Sequence, residues 1–406
     1  MTLRTPTEPG RPSGATMAQV LGFLYAFFVF GWTESLRGPT LPLVMDDAGL
    51  GYAVTGLVML AGYLGFTSAS LVMGLLSDLR GNRRVILLAA GSLAAGILVY
   101  SSSRTAGFLF LGMLLVGFGL GSIELGGNAG IAGLRGIRTG RFLNLLGFCH
   151  GLASMTVPAI AGFLLGRGMS WRTFYRLDLV LVLALFLLFL LLRLRRPEPV
   201  RPDARPRLDL PRLTKTVGSP RMRWFYLLVA AYMSADIALS TWLVAFLRDV
   251  RAFSLETASL YLSLYFGAIT LGRFLGSFFV DRFPYTAVIA LSSAGAAALI
   301  LLGLFGPAPL AILIPLSGLF YSVVFPTSVG AVSSLHKESA GTALGIYFAF
   351  AGLGGMLGSW LIGQVAERWG LTGGFVVIVV LLGIVVLAVS RVSRAHHPEE
   401  APSWTG

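Results

Sequence analysis

The chain has 406 residues, of which 55% are apolar and only 12% charged, with a formal charge of +13 and a mean hydropathy of +0.80. Soluble domains carry roughly a quarter charged residues, so a water-soluble enzyme or regulator is excluded. A lone cysteine, Cys149, excludes an intrachain disulfide and a multi-cysteine metal site.

In chain order, residues 1–16 are polar and rich in Pro and Gly, which predicts a disordered tail. No cleavable signal pattern follows, so the first apolar run acts as its own insertion signal. Twelve apolar stretches come next, near 18–44, 53–77, 85–103, 106–134, 142–166, 173–194, 224–247, 257–280, 286–305, 308–334, 340–366 and 371–390. Each has about the 20 residues that a spanning helix needs, and none alternates as barrel strands do. The expected fold is an all-α membrane protein of twelve transmembrane helices in two six-helix halves. The predicted domains are a bundle at 17–194, a cytoplasmic linker at 195–222, a second bundle at 223–390 and a cytoplasmic tail at 391–406. The linker is the longest polar stretch, and ten cations fall between 193 and 223. With both ends inside, basic residues concentrate on the cytoplasmic loops. The positive charge therefore reads as an orientation signal and an attraction to anionic lipid, not as a nucleic-acid surface. A multi-pass protein of the cytoplasmic membrane, working as a monomer in the lipid bilayer, is expected.

Ionisable groups at bilayer depth are costly and line cavities or find partners. Span 1 carries Glu34 with Arg37 at i+3, either a self-neutralising pair or a substrate and proton site. Span 4 reads GFGLGSIELGGNAG over 117–130. Counting from Arg135, Glu124 lies about 16 Å deep, and Asn128 shares its face at i+4. The glycines around them let neighbouring helices approach on the other faces. Glu124 is then either a proton and substrate site or a structural carboxylate paired with a cation such as Arg273. His150, inside span 5, can titrate near neutral pH or serve as a packing residue. In span 7, Tyr232, Asp236 and Ser240 form a polar stripe that can face the first half across a central cavity. Asp178 and Arg248 lie near span ends and read as interfacial.

The segment GLLSDLRGNRR at 74–84 and the weaker copy GSFFVDRFP at 276–284 end spans 2 and 8 on equivalent cytoplasmic turns. Internal repeats at this scale mark secondary transporters with a site at the midplane. GLLSDLRGNRR resembles the loop 2–3 signature of the major facilitator superfamily at Gly74, Leu76, Asp78, Gly81, Arg83 and Arg84. That resemblance implies a conformational latch: Asp78 near a helix N-terminus of the other half, the arginines paired with carboxylates, and Asp281 as the degenerate counterpart. An anion at a helix N-terminus is worth a few tenths to about 1 kcal/mol, enough to bias one state without locking it.

A narrower resemblance is to the fucose–proton symporter family, which includes bacterial glucose and mannose permeases. It rests on Glu124 in the span 4 glycine run, Asn144 in RFLNLLGFCHG, Tyr232 and Asp236 in AYMSADIALSTWL, and Ser322, Phe325, Pro326 and Thr327 in YSVVFPTSVGA. It implies a proton-coupled hexose symporter, with Glu34, Glu124, Asn128, Asn144, His150, Tyr232, Asp236, Trp242 and Tyr321 around substrate and proton. Sugar sites are rich in Asn and Gln, however. Here only Asn128, Asn144 and Gln364 fall in or near spans, and Gly147 stands where relatives carry a glutamine. The competing expectation is a proton-driven exporter of amphipathic compounds with an aromatic wall of Trp32, Tyr232, Trp242, Tyr265, Tyr321 and Tyr347. No phosphate-binding G-x-x-x-x-G-K-[ST] loop occurs. Protons are the expected coupling ion, sodium the alternative, and no cofactor or metal is expected.

Overall fold

The computed structural model describes residues 14–134, 137–192, 218–335 and 340–394. Most of the predicted linker, most of the tail and the first residues lie outside these, as does Arg135; the last residues of that linker, from Pro220, already belong to span 7. Among the described residues there are eleven helical runs long and apolar enough to cross a membrane. The last, Ala340–Arg394, contains Gly370 at φ 70°, a left-handed conformation that glycine adopts without penalty. It is therefore two spans, 340–369 and 371–394, making twelve.

Span 1 is one long helix, Gly14–Ser35 continuing through Leu36, whose φ −63° and ψ −28° are helical, into Arg37–Ala48. Span 2 is Tyr52–Arg80, span 3 Asn82–Ser102, span 4 Ala106–Ala132, span 5 Thr139–Gly166 and span 6 Trp171–Leu191. Spans 7, 8 and 9 are Pro220–Asp249, Leu255–Gly276 and Tyr285–Phe305. Span 10 is interrupted, as a 3-10 turn at Ala308–Ile312, a short helix Leu313–Leu316, and the helix Gly318–Leu335. Serine caps start three spans: Ser170 accepts from the amide of Arg172, Ser219 from that of Met222, and Ser254 from that of Thr257. Because the number of spans is even, residues 14, 218 and 394 share one face, here the terminal face. The opposite side is the far face.

Glycine seams set the packing inside each half. A Cβ on Gly117 would sit 1.8 Å from the carbonyl oxygen of Gly62, and one on Gly65 2.0 Å from that of Leu114. Spans 2 and 4 thus meet backbone to backbone, as small residues permit. In the second half, Gly354 and Gly358 of span 11 abut the carbonyls of Ala230 and Ser234 in span 7 at 2.2 and 2.3 Å by the same measure.

Spans 2 with 11 and spans 5 with 8 join the halves, and at the far face the end of span 1 also packs on spans 7 and 8. Near the far face these pairs are tight: Gly363 meets the Tyr52 carbonyl and Gly56, and Gly162 meets Ser259. Midway, Gly352 still reaches Thr67 and Gly151 reaches Thr270, each at 3.3 Å from the added Cβ. Further toward the terminal face, on the same helix faces, Gly345 and Gly147 have nothing within 4 Å. The halves are therefore closed at the far face and splayed at the terminal face.

Candidate functional site

Glu34 and Arg37 lie past the middle of span 1, just before Pro39 and Pro42, which supply no N–H to the helix ladder. Gly31 lets span 5 approach so closely that an added Cβ would lie 2.3 Å from the His150 carbonyl oxygen. One turn on, the Glu34 carboxylate meets His150 Nε2 at 2.9 Å, both side chains a little over a quarter exposed. The Phe30 ring lies 4.5 Å from the imidazole. The expected i, i+3 pairing with Arg37 is not made, because the carboxylate is turned to span 5. Arg37 is instead buried, with its guanidinium carbon 5.3 Å from the centre of the Tyr63 ring and its Nε without an acceptor.

Glu124 is partly exposed two turns beyond Gly117 on the same face of span 4, flanked by tightly packed glycines. Gly117 and Gly121 face span 2, Gly126 faces Val85, and Gly127 and Gly130 face Phe27 and Phe23. The charged groups that act on Glu124 are Glu34 and His150. No cation among the described residues lies within ion-pairing distance of it, so the alternative pairing with Arg273 is absent in this conformation. Asn128 is exposed, and its amide donates to the backbone carbonyl of Glu124 at 2.9 Å. It leans on its own helix rather than on the carboxylate. Asn144 is exposed on span 5, six residues nearer the terminal face than His150.

The second half supplies Asp236, half-buried near the middle of span 7. Its partner is the Tyr265 hydroxyl from span 8, which donates to Oδ1 in a short hydrogen bond. The predicted stripe is rotated. Met233, Asp236 and Ser240 are the partly exposed positions, at i, i+3 and i+7, while Tyr232 is buried. Tyr232 turns 40° away from Asp236 around the helix, and its hydroxyl donates to the Tyr321 carbonyl at 2.8 Å. Ser240 bonds to the Ile237 carbonyl. Tyr321 is 1% exposed and its hydroxyl has no partner. With Tyr232 and Tyr265 it forms a phenol cluster, at centroid distances of 5.6 and 6.0 Å, behind Asp236. Arg273 is exposed on span 8 and acts electrostatically on Asp236 and Tyr232. Tyr63 feels Glu34, Arg37 and Asp236 together, so the two halves meet around one central polar site.

Two placements differ from the sequence reading. Trp242, expected at the substrate, is fully buried; its indole N–H donates to the Ser359 carbonyl at 3.1 Å and its ring packs 6.0 Å from Tyr52. It mortars spans 2, 7 and 11 near the far face. Asp178, expected at the interface, is 1% exposed and accepts a 2.8 Å hydrogen bond from Thr33, the residue before Glu34. Seven residues inside span 6, it is about 10 Å along the helix from Trp171, deep enough to be enclosed. The sequence reading also missed Tyr63 and the pairing role of Tyr265; no local pattern marks either, because the partners lie on other helices.

A family model for the Major Facilitator Superfamily matches residues 23–314 and 252–405. The chain belongs to the Major Facilitator Superfamily. Among curated proteins it is similar to the Saccharomyces cerevisiae protein "Bypass of stop codon protein 6", at 22% identity over 87% of this chain and 78% of the relative. Among solved structures, a D-xylose–proton symporter superposes with a TM-score of 0.75 at 17% identity, over 93% of this chain and 97% of that one. The nucleoside transporter NupG gives 0.75 at 18%, over 95% and 100%. The Escherichia coli fucose:proton symporter FucP gives 0.62 at 18%, over 93% and 99%. At these identities the structures establish the superfamily fold.

The superfamily's loop 2–3 signature is partly visible. Gly81 has φ 83°, so a side chain there would be strained. Gly74 is uncrowded, with Leu125 its nearest neighbour at 3.8 Å from an added Cβ. The expectation that the arginines pair with carboxylates is not met by Arg83. It donates to the carbonyls of Phe189 and Leu190 at 2.8 and 2.6 Å, where the unsatisfied end of span 6 attracts a cation. Arg84 is exposed. Asp78 occupies the last turn of span 2 and Asp281 a 3-10 turn after span 8; their side chains lie outside what is described.

Proposed function

We propose that the chain is a proton-coupled secondary transporter of a small organic solute, working by alternating access around the Glu34–His150, Glu124 and Asp236 site. The single observation that carries this reading is Glu124, a carboxylate deep in a membrane span with no cation against it. It faces a second carboxylate whose partner is a histidine. A carboxylate without a counter-ion in low dielectric is stable only when it gains a proton or a cation. Protonation removes that cost and allows the carrier to change state. Sodium would satisfy the same carboxylates, and the pH-gradient experiment below separates the two.

Sugar transport is the substrate reading that the names of the symporters for xylose, a pentose, and fucose, a deoxyhexose, support, with a hexose-type solute the form proposed here. Against it stands the shortage of amides at the site, since Asn128 folds onto its own helix. The aromatic rings of Phe30, Tyr63 and Tyr265 favour the second reading, export of an amphipathic solute. The concentration of basic residues on the terminal face supports placing that face and both termini in the cytoplasm, with the protein in the cytoplasmic membrane. Purified protein in proteoliposomes with an imposed pH gradient tests the proposal. Gradient-driven accumulation of a hexose or of a hydrophobic solute, abolished by a protonophore, supports it. Uptake that follows a sodium gradient and ignores pH overturns proton coupling.

A further inference from the structure

Span 2 starts at the far face with Gly51 at its N-cap, a residue with no side chain to satisfy the first amides. That task is performed from the other half. Glu367, near the far end of span 11, accepts a hydrogen bond from the Ala53 amide at 3.0 Å. Gln364, one turn earlier, donates to the Ala53 carbonyl at 3.4 Å. A Cβ on Gly51 would lie 2.8 Å from the Glu367 oxygens, so a side chain there would have to push the carboxylate aside. Beside this contact Arg248 of span 7 donates to Asp46 at the end of span 1 at 2.8 Å, and Tyr52 donates to Asp249 at 3.4 Å. Every one of these contacts crosses between the halves.

Spans 2 and 11 are antiparallel neighbours across the halves. The sequence signature places a second carboxylate, Asp78, in the last turn of span 2, at the opposite face. We propose that Glu367 is a far-face latch, an N-cap supplied in trans that holds the far face shut and opposes the terminal-face latch expected of Asp78. Each helix of the pair then carries a carboxylate near its own C-terminal end, at the face where its partner begins. Rocking the halves breaks one cap as it makes the other, so the ratio of the two open states depends on the difference between them. The inference rests on the alternating-access reading but not on the proton site or the substrate.

The test uses spin labels on far-face loops, at Thr105→Cys in the first half and Pro307→Cys in the second, in a Cys149→Ser background reconstituted in lipid nanodiscs. Dipolar distances between them report far-face opening without any substrate. Glu367→Ala should raise the long-distance population relative to the short one by roughly two- to fivefold, as loss of one helix-terminus charge contact implies. Glu367→Gln, which keeps the shape and guards against a folding defect in the alanine variant, should shift it in the same direction by less. Asp78→Asn should shift it the opposite way, and the double variant Asp78→Asn/Glu367→Ala should return toward the parent ratio. An unchanged distribution in both Glu367 variants overturns the proposal. So does a shift in Arg248→Gln alone, which would place the whole lock in the ion pair.

Discussion

The two halves hold their central acids differently. In the first half Glu34 meets His150, and Glu124 has no ion-pair partner among the described residues; all three are partly exposed. In the second half Asp236 is bound by Tyr265 and backed by Tyr232 and Tyr321, two buried phenols. An imidazole facing carboxylates can pass a proton to and fro, whereas buried phenols only hold a carboxylate by hydrogen bonding and packing. Under the proposed function this difference is a division of labour, with the first half exchanging the proton and the second holding one arrangement for the solute.

The largest effect that would break this comparison is expected at Glu124. Glu124→Gln keeps the shape and removes titration, so the steady-state accumulation ratio in proteoliposomes should fall to about one while counterflow exchange survives, because an uncoupled carrier only equilibrates its solute. Accumulation equal to the parent's would move the proton site to Glu34, His150 or Asp236. Next comes His150→Gln, which removes the imidazole partner of Glu34 and should lower gradient-driven accumulation while counterflow exchange survives; accumulation equal to the parent's in this variant would dissolve the contrast. Tyr265→Phe sharpens it from the other side. It removes the donor to a charged acceptor, a loss of about 1.5–3 kcal/mol, and should weaken solute binding by roughly tenfold with coupling retained. Loss of coupling without loss of affinity would reverse the assigned roles. The smallest effect is expected for Trp242→Phe, which leaves the site alone and removes one buried hydrogen bond, costing about 1 kcal/mol. A thermal-shift assay should register it while transport kinetics stay unchanged.

The twelve spans were legible because length and apolarity report directly on the bilayer, and the glycines around Glu124 foretold the close packing of span 4. Local spacing could not report partnership. Glu34 and His150 are 116 positions apart and Asp236 and Tyr265 29 apart, so the i, i+3 neighbour Arg37 stayed open as a partner for Glu34. Helical spacing placed Tyr232 beside Asp236 correctly but could not say that a 40° turn would bury the phenol against span 10. The Asp178 carboxyl was misplaced for a related reason: nearness to a helix end says little when span 1 folds across it and Thr33 supplies its donor.

The prolines of span 1 have a mechanical consequence. Pro39 and Pro42 carry no N–H, so two rungs of the helix ladder are missing beyond Glu34. The inner part of span 1 packs on spans 4, 5 and 6, whereas the outer part packs mainly on spans 7 and 8. There a Cβ on Gly38 would press within 2.3 Å of Leu262 of span 8, and Asp46 is tied to Arg248 of span 7. The outer third of span 1 thus belongs to the first half by covalent bond and to the second by contact. A helix shared in this way is a crank, and its missing rungs make the shared end the easiest place for it to bend when the halves rock. Glu34 stands just inside that point, so the carboxylate of the proposed proton site sits beside the pivot.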